Sequence, residues 1–155
     1  MRAGLLDRAE NLFREVVELD EHADRALHGL RDIYQQEKEW ESAIDVTERL
    51  AELMQRSYAY EIAQFCCEKG DQAWRTGEPA AAVRAHYKRA LNYDSRCVRA
   101  TIALGDLAAK TGQTEAAQRA YKRVARQDID YLPEDRKSTR LNSSHEIPSR
   151  MPSSA

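Results

Sequence analysis

Apolar residues along this chain return at three- and four-residue steps, from Leu5, Leu6, Ala9, Leu12 and Phe13 near the start to Ala117, Tyr121 and Val124 near the end. That spacing places one buried stripe on a helix, whereas a half-buried strand needs strict alternation. The steps predict helices over 5–18, 22–36, 39–54, 58–76, 79–93, 97–110 and 113–127. Turn residues agree with these spans. Gly77 and Gly112 suit a left-handed helix end. Pro79 suits the first turn of the next helix, where its missing N–H costs nothing. Asp94-Ser95 reads as a helix cap. β-branched runs are missing and the class is all-α.

The helices repeat. Gly105 and Gly112 frame a helix ending. Ala117, Tyr121, Val124 and Asp128 follow Val83, Tyr87, Ala90 and Asp94 at a 34-residue offset, and Gly4, Ala9, Phe13, Val16 and Asp20 match Gly112, Ala117, Tyr121, Val124 and Asp128 in spacing. Leu27, Leu30, Tyr34, Ala43 and Leu50 mark a further unit, with Trp40 at its turn. The unit carrying Gly77 and Ala82 is shifted by one residue at Tyr87 and Asp94, an adjustment at a turn. Ala9, Ala43, Ala82 and Ala117 fall where paired helices cross and a small side chain lets the backbones approach. Phe13, Tyr34, Trp74 and Tyr121 supply the bulk beside them. A 34-residue pair of antiparallel amphipathic helices is the tetratricopeptide grammar, so residues 1–132 read as an α-solenoid of about three units plus a flanking helix. The chain starts mid-repeat, leaving Leu5, Leu6 and Leu12 without a partner helix. That marks an internal piece of a longer array or, if Met1 is a true start, an open end covered by self-association with a second copy.

Composition narrows the function. A chain of 155 residues supports one domain with a core. Residues 136–155 carry Arg136, Lys137, Arg140 and Arg150 against Glu146, so the overall charge of −2 leaves a mildly acidic body. Such a body offers no phosphate-neutralising face and argues against nucleic acid as a partner. No apolar run approaches the ~18 residues of a membrane span. Met1-Arg2-Ala3-Gly4-Leu5-Leu6-Asp7 is charged too soon for a signal peptide. Cys66, Cys67 and Cys97 are odd in number and two are adjacent, the usage of buried thiols in a reducing compartment such as the cytoplasm.

Candidate chemistry is thin. Cys66-Cys67 lacks the spacing of a zinc knuckle and reads as small apolar core. His22, His28 and His86 lie on separate helices, and acidic groups such as Glu18-Asp20-Glu21 and Glu37-Glu39 lie at helix ends. No phosphate loop or HExxH is present, so catalysis is not expected and no metal or cofactor is assigned to these residues. A protein-binding role is expected instead. In such arrays the first helix of each unit lines the concave face. Counting around those helices places Arg25, His28, Asp32 and Gln35 on that face, then Gln64, Cys67, Asp71 and Trp74, then Arg99, Ile102, Asp106 and Lys110. Arg25 and Arg99 present planar forks suited to carboxylates of a partner.

Residues 133–155 differ in kind. The stretch from Lys137-Ser138-Thr139 through Ser143-Ser144-His145-Glu146 to Met151-Pro152-Ser153-Ser154-Ala155 is Ser-rich, Pro-broken and aperiodic, the composition of a disordered segment. It also resembles translated adapter or cloning sequence, so native sequence is expected to stop near Asp135. Genomic DNA still encoding Ser143-Ser144-His145 overturns that expectation. Nothing in such a tail would orient Ser143, His145 and Glu146 as a catalytic set.

Several segments go beyond generic repeat grammar. Ala3-Gly4-Leu5-Leu6-Asp7-Arg8-Ala9-Glu10, Ile33-Tyr34-Gln35, Trp40, Ala43-Ile44-Asp45-Val46, Glu48-Arg49-Leu50 and Ile62-Ala63-Gln64-Phe65 resemble the lipopolysaccharide assembly protein B family, over roughly residues 3–134. The resemblance implies a bacterial adaptor at the cytoplasmic face of the inner membrane. Such adaptors couple the deacetylase that commits flux to lipid A to a membrane-bound AAA protease. It also implies an N-terminal anchor and a rubredoxin-like zinc module, neither of which has a counterpart in this stretch. The alternative is a generic tetratricopeptide scaffold or a chaperone-associated module.

Overall fold

The computed structural model describes residues 2–17 and 22–131, with side chains over 4–14 and 22–126. Among the described residues there are seven helices and no strand: α1 (Arg2–Val17), α2 (Ala23–Gln36), α3 (Trp40–Met54), α4 (Ala59–Arg75), α5 (Ala80–Tyr93), α6 (Val98–Lys110) and α7 (Thr114–Tyr131). All seven expected helices form. Their ends differ from the expected ones by up to four residues, because nothing in the apolar period marks the first and last turns. Residues 133–155, including Ser143, His145 and Glu146, lie outside the described residues.

Each helix packs on its neighbours in the chain, and α4 also meets α6. Polar links sort the helices into two rows. Arg31 of α2 donates to Glu61 of α4 at 3.2 Å, and Arg99 of α6 reaches back to α4, which ties the first helices together. Arg89 of α5 donates to Glu41 of α3 at 2.7 Å, and Tyr93 donates to Glu48, which ties the second helices together. The apolar core runs continuously between the rows, from Leu27 and Leu30 through Ile44, Leu50, Phe65, Val83 and Tyr87 to Leu107.

Three turns within hairpins share one design. At Gly77 the N–H bonds to Trp74 O and the next N–H to Ala73 O, and at Gly112 the same pair reaches Ala109 O and Ala108 O. Both glycines have positive φ, 78° and 80°, as their place in the sequence requires. Lys38 repeats the bonding toward Gln35 O and Tyr34 O with φ 61°, although it is not glycine. Two expected caps move. Pro79 is the N-cap residue of α5 rather than a member of its first turn. Asp94 closes α5, its carboxylate accepts the Arg96 N–H at 3.0 Å, and the N-cap of α6 is Cys97.

The close crossings belong to glycines as much as alanines. A Cβ on Gly29 would stand 2.6 Å from the Phe13 ring, one on Gly70 2.7 Å from Tyr87, and one on Gly105 2.6 Å from Tyr121. Ala43 and Ala117 are buried as expected, whereas Ala9 and Ala82 are only partly so.

Candidate partner-binding face

The surface that could hold a partner is built by α2, α4 and α6. The described side chains there fall into repeat positions that can be counted from the crossing alanines. Arg25, Gln64 and Arg99 each stand 18 residues before Ala43, Ala82 and Ala117, and Asp32, Asp71 and Asp106 each stand 11 before. Equivalent places on equivalent helices nonetheless have different surroundings.

Around α4 and α6 the face is knitted shut. The Arg99 guanidinium donates to Asp71 Oδ2 at 2.7 Å, Glu68 Oε2 at 3.0 Å and Gln64 Oε1 at 3.1 Å. The other Asp71 oxygen accepts the Tyr87 hydroxyl at 2.6 Å. Burial opposes the Arg99 charge, but the bonds to Asp71 and Glu68 prevail and hold it more firmly protonated than usual. Burial, then the bond to Asp71, pushes the Tyr87 hydroxyl well above the usual phenol range. The structure therefore brings Gln64, Asp71 and Arg99 together, with Glu68 as a member that helix counting missed. Glu68 could have been found as the acid one turn before Asp71, facing an arginine in the next unit.

Two other candidates change place. Cys67 is fully buried and lies off the accessible face, its sulfur 3.8 Å from that of Cys97. Trp74 is half-buried and packs edge-on to Tyr87 at 6.5 Å, so its ring belongs to the core margin. Helix counting gives direction but not depth: Cys97 at the start of α6 meets Cys67, and Tyr87 of α5 meets Trp74.

On α2 and at the far end of α6 the side chains stay open. Arg25 and Gln35 are exposed, and neither side chain is bonded to another described residue. Half-buried His28 and exposed Lys110 likewise have no bond to a described side chain. Among the described side chains Asp32 meets only Arg31, at 3.7 Å. Ile102 is 39% exposed, and Asp106 accepts the Tyr121 hydroxyl at 2.6 Å. Beside Arg25 opens an apolar cavity of about 270 Å³ lined by Leu12, Phe13, His22 and Ala26. A guanidinium at the rim of an apolar cavity can pair a carboxylate while the cavity takes a neighbouring apolar side chain.

No group of three or more His, Cys, Asp or Glu able to hold a metal ion occurs among the described residues, and no described helix is long and apolar enough to cross a membrane. No family model matches the chain. Curated relatives do. The chain is 38% identical over 136 residues to lipopolysaccharide assembly protein B of Haemophilus influenzae, covering 86% of this chain and 33% of that protein. It is 34% identical over 134 residues to the protein of the same name in Escherichia coli K12, covering 86% and 34%. The chain is homologous to lipopolysaccharide assembly protein B. It spans about a third of the length of the lipopolysaccharide assembly protein B relatives it matches. The likeness expected from Ile62-Ala63-Gln64-Phe65 and the other quoted segments is thereby confirmed.

Proposed function

We propose that this chain is a non-catalytic protein-binding adaptor in the regulation of lipopolysaccharide biosynthesis. It holds a client protein on the face of α2, α4 and α6 and brings it to a protease. Its homology over 86% of its length to proteins named for lipopolysaccharide assembly carries this reading. The geometry supplies a mechanism. Bond-making is asked of none of its residues, since recognition needs only shape, charge and a rigid support. The Arg99 cluster and the core stiffen α4 and α6, while Arg25, His28, Gln35 and Lys110 remain open to a partner.

The client that fits the family is the deacetylase committing flux to lipid A, the protease a membrane-bound AAA protease, and the place the cytoplasmic face of the inner membrane. Of the two arginines suited to clamp a carboxylate, Arg25 is the one to test. Arg99 already holds Glu68 and Asp71, and its loss damages the fold as well as the face. Arg25→Glu is expected to weaken capture of the purified deacetylase at least tenfold, with helical circular dichroism unchanged. Undiminished capture removes Arg25 from the account. Failure of the unaltered chain to retain either deacetylase or protease, with retention of acidic peptide C-termini instead, replaces the reading by a chaperone-type scaffold.

A further inference from the structure

Three buried thiols lie in the core, and the fold treats them differently. Cys66 and Cys67 are neighbours in sequence on α4 but face opposite rows. The charged groups around Cys66 are Arg89 of α5 with Glu41 and Glu48 of α3. Burial pushes its thiol up to about 11, where the nucleophilic thiolate is scarce at neutral pH. Cys67 looks the other way, toward α6, and its sulfur lies 3.8 Å from that of Cys97. Closing that gap to a bond of about 2 Å requires under 2 Å of movement.

Cys97 occupies a special place. It is the N-cap residue of α6, where a side-chain oxygen usually meets the first free N–H groups. Here the Cys97 side chain makes no such cap bond. Two polar groups meet it at 3.8 Å: the Cys67 thiol and Gln64 Nε2. The hydrogen bond from Cys67 is the largest cause, and it draws the Cys97 thiol below the usual thiol range. The positive charge of Arg99 helps from the first turn of α6, while burial and Asp94 at the end of α5 oppose. Cys67 gives that bond and is held as the protonated partner. A helix N-terminus with added donors is the setting in which a cysteine becomes a nucleophile.

We propose that Cys97 and Cys67 form an oxidation site, with Cys97 as the thiol that attacks peroxide and Cys67 as the thiol that resolves the product. The Cys97 thiolate attacks one oxygen of hydrogen peroxide, breaking the O–O bond and giving Cys97 sulfenic acid and hydroxide. The Cys67 sulfur then displaces the sulfenic oxygen as water, losing its proton and closing a Cys67–Cys97 disulfide. The two sulfurs lose two electrons in all and the peroxide is reduced to two waters. Both thiols are buried, so peroxide enters when the first turn of α6 opens, and helix ends open at least cost. The bond joins α4 to α6 one turn from the Arg99–Asp71 pair. It would lock α4 to α6 in the proposed binding face, and it does not rest on the adaptor reading.

The test is exposure of the full chain to hydrogen peroxide at neutral pH, followed by alkylation in denaturant and intact mass measurement. The expected product is a monomer two hydrogens lighter with one alkylated thiol, and peptide mapping in a Cys66→Ala background joins Cys67 to Cys97. Cys66 should stay alkylatable while Cys67 and Cys97 are lost together, because only those two sulfurs face each other. In Cys67→Ser, dimedone is expected to trap Cys97 as a sulfenic acid, and in Cys97→Ser the mass loss disappears. Three alkylatable thiols after exposure overturn the proposal. So does a link through Cys66, or loss of two hydrogens that persists in Cys97→Ser. Circular dichroism of each variant guards against misfolding, and the unsubstituted chain decides the first point without any substitution.

Discussion

Lys38 shows how much a single residue can be asked to bear. It takes the left-handed place that Gly77 and Gly112 fill in the two later hairpins, with the same two backbone bonds. A side chain there crowds the carbonyl, and glycine relieves it at some cost in chain entropy. Lys38→Gly is therefore expected to stabilise the chain by about 0.5 to 1 kcal/mol, read as a rise in thermal midpoint. An unchanged or lower midpoint means that the Lys38 turn is not strained. Arg25 and Arg99 make the complementary point about charge. They are the same residue type at the same repeat place, yet Arg99 is held by three acceptors and Arg25 by none among the described residues. Repeat position was legible in the sequence. Occupancy was not, because it depends on which side chains the adjacent helix presents.

Pairs of helices are set by glycine facing an aromatic ring. Gly70 opposes Tyr87, and Gly105 opposes Tyr121, each with an aspartate following the glycine that accepts the tyrosine hydroxyl. The one-residue shift noted in the sequence falls between these pairs, at spacings of 17 and 16. The two sites nevertheless differ in how far the ring can give way. Tyr87 is 1% exposed and enclosed, whereas Tyr121 is 43% exposed and can swing outward. Gly70→Ala should cost about 1 to 3 kcal/mol through overpacking. Gly105→Ala should be close to neutral, since a helical alanine regains about 1 kcal/mol over glycine. Chemical denaturation of the two variants checks the order. Equal losses refute the claim that ring freedom decides. The Gly-Asp dipeptides and the later tyrosines were visible beforehand, but the sequence alone attached the crossings to alanines.

Across the whole molecule, buried hydroxyls and thiols set an alkaline limit. Tyr34 and Tyr87 are raised above 10.0 by burial first, and Tyr93 by its bond to Glu48 first. Cys66 is raised from 9.0 to about 11 by burial. The native chain therefore keeps protons that the unfolded chain releases, and stability falls with pH wherever that holds. The contribution is intact below pH 9, fades from there for Cys66 and from pH 10 for the tyrosines. Thermal midpoints should thus decline above pH 9. Tyr87→Phe should start lower, having lost the bond to Asp71, but decline less steeply. A parallel decline assigns the alkaline loss to other groups. Because each helix packs mainly on its chain neighbours, these losses should add unit by unit rather than spread.

Helix class, the repeat frame, the turn glycines and the likeness to lipopolysaccharide assembly protein B followed from the order of residues alone. Each is carried by local periodicity or by strings of adjacent residues, and a helix of 3.6 residues per turn makes both readable without knowing what lies beside it. Only the tertiary structure decided which of those surface places is open. Cys67 and Trp74 turned inward, Glu68 joined Arg99, and Cys97 became both the cap of α6 and the neighbour of Cys67. Those outcomes hang on contacts about 30 residues apart in sequence, where a rotation of one helix against the next changes the partner while the apolar stripe stays the same.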